Sequence, residues 1–286
     1  MSLLNSVNTN MGAMIALQSL NQTNTSLAAA EKQVSTGYRV ADSTDDGAAY
    51  AIAQGVRSTV GALTTANQQL GNVQGLLSTT QTGLNAISTL MASMREVLTN
   101  LSSGSVTGTD RSNYITTYQS LLANVKTDIQ DANYNGKTLI GNVTGSNGTY
   151  AAMSVVRNEN GAQYTVSSYS GATLYASIAY TSTQLNGAGT VQGLIGTATT
   201  ASFINKMNSV NNELNTVGAS VNYVNNQVTY NSNKIDALNS GVGSLVDADL
   251  AKESAQLQAL QIRQQLGTQA LSLANQAPQT LLSLFK

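Results

Sequence analysis

The chain has 286 residues, a net charge of −1, and neither Cys nor His. Those absences remove disulfides, thiolate and imidazole metal sites, and the usual nucleophile–base pairs. With no basic tract, nucleic acid and anionic membranes are not expected as partners. Only 9% of residues are charged, against about 25% in a typical soluble protein. Asn, Gln, Ser and Thr supply the polarity instead. No run of eighteen apolar residues is present, so insertion into a bilayer is not expected. The first residues carry neither the basic nor the continuous apolar segment of a secretory leader. Export, if it occurs, is expected to use a route without a cleaved signal.

In chain order, Leu4, Val7, Met11 and Met14 recur at three-and-four spacing, and Leu20, Leu27 and Val34 at sevens. This predicts a first helix whose apolar seam has no cover of its own, since the first thirty residues bear no charge. Thr36-Gly37-Tyr38-Arg39 should break it. Ser43-Thr44-Asp45-Asp46 then reads as the start of the next helix. Ser43 would be the cap, and the acids would sit in the first turn, favoured by the helix dipole. A metal site at Asp42, Asp45 and Asp46 needs more assumptions, and none is assigned.

The next helix carries a sustained heptad, with Leu63, Leu70, Leu77, Leu84, Met91 and Leu98 at intervals of seven. Ala66, Val73, Ile87, Met94 and Leu101 take the second position, polar only at Thr80. From Ser58 to Met94 there is no charged side chain. A solvated coiled coil carries Glu and Lys beside its seam, so these amide and hydroxyl flanks suit contact with further chains. The helix should end at Ser102-Ser103-Gly104-Ser105. A third helix presents Tyr114, Tyr118, Leu121, Leu122, Val125 and Ile129 on one face.

From Asn133 to about Thr200 the period changes. Asn135-Gly136 and Asn160-Gly161 are turn signals, because both pairs tolerate positive φ. Met153–Val155, Tyr164–Val166 and Tyr175–Tyr180 read as short strands. This small β-rich module is expected to cap one end of a hairpin-like molecule, with both termini at the other end. Asn142 and Asn147 begin Asn-x-Thr triplets, for which chance is the simpler reading.

A second heptad follows. Phe203, Met207, Val210, Leu214, Val217, Val221, Val224 and Val228 alternate four-and-three spacing, Asn231 interrupts, and Ile235, Leu238, Val242 and Leu245 resume. Each rod would be about 60 Å long at about 1.5 Å per residue. After a phase change at Asp247 and Asp249, Leu250, Leu257, Leu260 and Leu271 continue an apolar stripe. Asp247 and Asp249 fall on different helix faces, and the Gly-rich runs lack the strand-to-helix context of a phosphate loop. The chain is therefore read as mainly α, non-enzymatic and without cofactor: long antiparallel helical rods around a small β-rich module.

Several blocks resemble bacterial flagellins, in the family's order. They are Ser6-Val7-Asn8-Thr9-Asn10, Val34 to Val40 with Asp45 to Ala53, Gly218 to Asn222, Asp247 to Glu253, and the ending Ala274 to Gln279 with Leu281, Leu282 and Leu284. The resemblance covers roughly residues 1–140 and 200–286 and suits a short, α-proteobacterial-like form with a small outer domain. It implies a secreted, extracellular subunit of the flagellar filament, exported by the flagellar type III apparatus and acting in motility. Residues 1–44 and 247–286 would form an inner terminal domain, 45–140 and 200–246 a rod domain, and 141–199 a variable surface module.

The implied partners are further copies of the chain, an export chaperone on the C-terminal helix, and the filament cap and hook-junction proteins. The expected subunit interface is Val7, Met11, Met14, Leu20 and Leu27 with Leu250, Leu257, Leu260 and Leu271. The family's receptor-activating Arg-x-Arg-Glu reads Ser93-Met94-Arg95-Glu96 here. Arg95 and Glu96 thus form a degenerate patch, implying weak activation of the mammalian innate receptor. Two alternatives stay open: a hook–filament junction protein, and a surface adhesin or glycan binder using Tyr164, Tyr169, Tyr175 and Tyr180.

Overall fold

The computed structural model describes residues 9–196 and 202–284, with side chains up to residue 276. Three helices come first: α1 (Met11–Thr36), α2 (Gly47–Leu101) and α3 (Gly108–Asp131). Four short strands follow: β1 (Lys137–Thr138), β2 (Thr149–Tyr150), β3 (Met153–Val156) and β4 (Gln163–Val166). Then come α4 (Gly171–Ile178), α5 (Ser182–Leu185), α6 (Ala188–Ile195), α7 (Phe203–Val246) and α8 (Leu250–Leu284). The chain divides into two compact units, unit 1 of Met1–Thr59 and Ala237–Lys286 and unit 2 of Val60–Asp236.

The core of unit 2 is the heptad seam. Leu63, Leu70, Leu77, Leu84, Met91 and Leu98 of α2 are all 0% exposed. From α7, Phe203, Val210, Val217 and Val224 are buried, while Met207, Leu214, Val221 and Val228 pack half-buried beside them. Each fully buried aliphatic side chain contributes about 1.5–3 kcal/mol, so this seam carries most of the unit's stability. Tyr118, Leu122, Val125 and Ile129 complete it from α3. Its two polar positions are satisfied. Thr80 donates to the Leu76 carbonyl at 2.8 Å. Asn231, 0% exposed, donates to Asn67 Oδ1 at 2.9 Å and the Arg157 carbonyl at 3.0 Å, and accepts from Gln227 at 2.9 Å.

Asn135 (φ 48°) and Gly136 (φ 73°) make a left-handed two-residue turn, across which Tyr134 and Lys137 exchange backbone bonds of 2.8 and 3.0 Å. β1 pairs parallel with β2. β3 and β4 form an antiparallel hairpin, Val155 opposite Tyr164. The hairpin lies along the 220–234 stretch of α7. Tyr164 stacks on Tyr223 with centroids 4.1 Å apart and donates to Ser220 at 3.1 Å. Further along, Gln227 and Asn231 both donate to the Arg157 carbonyl, and Lys234 pairs with Glu159.

The strand expected over Tyr175–Tyr180 is helix α4 with a short tail. Leu174 and Ile178 are the buried pair, at helical spacing, and Ser170 caps the helix by accepting from the Thr173 amide at 3.2 Å. Arg111, only 7% exposed, closes the far end of α2. Its guanidinium donates to the carbonyls of Leu101 (2.6 Å), Val106 (2.8 Å) and Leu185 (3.1 Å), placing a cation at a helix C-terminus.

In unit 1, α1 ends where Gly37 turns left-handed at φ 74°, its amide bonded to the Gln33 carbonyl. The start of α2 differs from expectation. The helix begins at Gly47, and Asp46 is the cap, accepting from the amides of Ala48 and Ala49 at 3.0 Å each. Ser43 lies upstream, in the turn that precedes the helix. Asp249 opens α8 in the same way, through Ala251 and Lys252.

Candidate assembly surface

Helices α1 and α8 of unit 1 run antiparallel as a pair, matched by contacts whose positions advance in opposite directions. Leu27 and Ala30 bury against Leu260, with Leu257 packed beside them. Asn24 accepts from Gln264 at 2.8 Å. Gly267 lies under Leu20, where a Cβ would stand 3.2 Å from Leu20 Cδ1. At the start of α1, Asn10 caps the helix through the Ala13 amide (3.0 Å) and donates to the Ala274 carbonyl (2.8 Å).

The pair covers little of its own apolar surface. Met11, Met14, Ile15, Leu17, Tyr38, Ile52, Leu250, Ile262, Leu266 and Leu273 are exposed large apolar side chains of unit 1, while unit 2 shows only Tyr134 and Tyr230 among the described residues. Met14 is 59% exposed, Leu250 50% and Met11 41%. Leu20, Leu257 and Leu271 are half-buried, and Leu27 and Leu260 buried. Val7 lies outside the described residues. An open groove of about 580 Å³ runs between the two helices, lined by Leu20, Leu260 and Leu266, with Arg263 as its single charged residue.

The turn joining α1 to α2 is stapled to the turn joining α7 to α8. The amides of Arg39 and Val40 donate to the Val246 carbonyl at 2.8 and 3.2 Å, and the Ala248 amide donates to Gly37 at 2.9 Å. The Arg39 side chain donates to the Leu245 carbonyl at 2.5 Å. Val40, Ala49, Ala53 and Val246 bury together beneath it. On the α1 side, Lys32 Nζ bridges Asp42 at 2.7 Å and Asp45 at 2.8 Å. These bonds to Lys32 hold both carboxyls below the ordinary carboxylate range, helped by Thr44 at Asp42 and the Ala41 amide at Asp45. They raise Lys32 in turn. The acids considered as a metal site are thus engaged by a lysine and, at Asp46, by a helix start.

Arg95 and Glu96 are exposed neighbours on α2 in unit 2. The tyrosines considered for glycan binding serve packing. Tyr180 is buried with its ring 6.0 Å from Tyr118 and 6.5 Å from Phe203. Tyr164 stacks on Tyr223, and Tyr169 and Tyr175 pack half-buried against the same core. Burial raises the Tyr169 and Tyr180 hydroxyls above the usual phenol range. Sequence reasoning missed Arg111, Arg39 and the Lys32 bridge. The only signal for them was a charged side chain in a chain with few.

Among the described residues no helix is long and apolar enough to cross a membrane. The family model described as the bacterial flagellin N-terminal helical region matches residues 7–144, and that of the C-terminal helical region matches residues 202–285. Flagellin FljM of Caulobacter vibrioides is 33% identical, with 99% of each chain covered. A flagellin of Brucella melitensis is 33% identical over 98% of this chain and 99% of its own. A solved structure described as a flagellar hook-associated protein from Vibrio parahaemolyticus shares the fold, with a TM-score of 0.56 and 17% identity, covering 71% of this chain and 100% of that one. Two terminal helical regions matched in order, and relatives aligned from end to end, mean that this chain belongs to the bacterial flagellin family.

Proposed function

We propose that this protein is the structural subunit of a flagellar filament, and that it polymerises by folding its terminal helices against those of neighbouring copies. The observation carrying this reading is the uncovered apolar surface of α1 and α8. Fixing one residue costs about 1–2 kcal/mol of backbone entropy, and one fully buried Leu returns about 1.5–3 kcal/mol. The 26-residue α1 buries only Leu27 and Ala30, so it cannot offset its own ordering. A lattice that covers Met11, Met14, Leu20, Leu250 and Leu271 with other copies can.

In this reading Val7, Met11, Met14, Leu20, Leu27, Leu250, Leu257, Leu260 and Leu271 are the subunit interface. Residues 1–44 with 247–286 face inward, 45–140 with 200–246 form the next shell, and 141–199 face solvent. An export chaperone would cover the C-terminal helix beforehand, with export to the cell exterior by the flagellar apparatus. Cap and hook-junction proteins would bound the filament. The incomplete patch at Arg95 and Glu96 implies weak innate-receptor activation.

Electron microscopy of purified protein after addition of filament fragments tests the assignment. Long fibres support it. A protein that stays monomeric at high concentration with seeds present points to the junction-protein reading instead.

A further inference from the structure

Sulfur in this chain is confined to methionine: there are seven, and no cysteine. A peroxide meeting the chain can therefore oxidise sulfur only at thioethers. The fold sorts them by access. Met91 and Met94 are 0% exposed in the seam of α2, and Met153 and Met207 pack half-buried against the same core. Met11 is 41% exposed and Met14 59%, the two methionines among the exposed large apolar side chains of the described residues. They stand three residues apart in the first turn of α1, on one face of the helix. That face belongs to the surface proposed above to meet neighbouring copies. Both sulfurs are thus open in the single chain and would be covered once a subunit is in place.

We propose that Met11 and Met14 are a redox-sensitive modification site that decides whether a subunit can join a growing filament. This rests on the filament reading and on the place of both residues in the subunit interface. Hydrogen peroxide is the oxidant. The thioether sulfur takes one peroxide oxygen, the O–O bond breaks, and a methionine sulfoxide and one water are formed. An apolar side chain thereby becomes a polar one that accepts hydrogen bonds. On the free subunit water solvates the new oxygen. Beneath an incoming copy that oxygen must be desolvated, which opposes docking. A thiol-dependent methionine sulfoxide reductase returns the thioether, with water leaving and a disulfide formed on the reductant, so the block is reversible. The buried Met91 and Met94 stay out of the reaction, and the fold of unit 2 is spared.

The test treats full-length monomer with hydrogen peroxide, maps the added oxygen by peptide mass spectrometry, and then adds untreated filament fragments. Met11 and Met14 should be oxidised at least about tenfold faster than Met91 and Met94, whose sulfurs react only after local opening. Seeded elongation should slow by about tenfold or more once both carry a sulfoxide, and reductases for both sulfoxide epimers should restore it. The double variant Met11→Leu, Met14→Leu keeps the apolar volume without sulfur. It should elongate at the parent rate untreated and hold that rate after peroxide. Oxidised parent that elongates at the untreated rate would overturn the proposal. So would a double variant as sensitive to peroxide as the parent, or equal oxidation of Met14 and Met91. Untreated parent that fails to elongate on seeds would overturn the filament reading on which the proposal stands.

Discussion

Unit 2 and unit 1 are built from the same residue types and helical periods, yet they spend their apolar side chains in opposite ways. In unit 2 both heptad positions of α2 are buried from Leu63 to Leu101, facing a second seam on α7. In unit 1 only Leu27, Ala30, Val40, Ala49, Ala53, Val246 and Leu260 are buried apolar side chains among the described residues. The difference is geometric. α2 and α7 of unit 2 have α3 and the 137–195 segment to close their seam, while α1 and α8 have only each other. Periodicity alone makes a helix; a third layer makes it stable without partners.

The largest effect should follow from charging the uncovered pair. Leu257→Asp or Leu20→Asp should abolish seeded growth in turbidity and electron microscopy, while the thermal transition of unit 2 moves by less than about 0.5 kcal/mol, as for surface changes. Normal filaments from either variant would remove these residues from the interface. Next, Leu77→Ala, at a fully buried site, should cost the monomer about 2–5 kcal/mol in denaturant unfolding. The same truncation at exposed Met14 should leave monomer stability unchanged, and equal losses at the two sites would break the comparison.

Arg111→Gln should destabilise unit 2 by about 1.5–3 kcal/mol, the worth of charge-assisted hydrogen bonds to the carbonyls it serves. A change under about 0.5 kcal/mol would make those bonds incidental. The smallest effect is that of pH on the staple. Asp42 and Asp45 titrate below their ordinary value in the folded chain, so their contribution is present above about pH 4 and is lost as pH falls through the lowered values. Protection at residues 32–46, measured against the intrinsic exchange rate at each pH, should therefore fall below about pH 4 in the parent chain. In Lys32→Gln the difference from the parent should shrink as pH falls, and a constant difference would assign the effect to packing of the lysine stem.

The helical elements were legible because their signal is local. The heptads from Leu63 and Phe203 fixed helix and seam together, and the interruptions at Thr80 and Asn231 marked two of the polar groups that the core must satisfy. Tyr175–Tyr180 misled because a short apolar run with aromatic residues fits either period, and the cap at Ser170 decided for helix. Ser43 misled because the turn holds four candidate caps in a row, and the one nearest Gly47 took the role. Arg39 and Arg111 were silent. Their partners at Leu245 and Leu185 lie 206 and 74 residues away, and no residue pattern announces a bond to a backbone carbonyl. The interface residues stood out as a stripe, but only the structure separates Leu27 and Leu260, already buried, from Met14 and Leu250, still open.

Hydrogen exchange of α1 and α8, measured in the free monomer and again in the filament, bears most directly on the claim that the terminal pair is completed by neighbours. The account predicts rapid exchange at residues 10–20 and 267–276 in the monomer and strong protection after assembly, with unit 2 nearly unchanged. Equal protection in both states would contradict it.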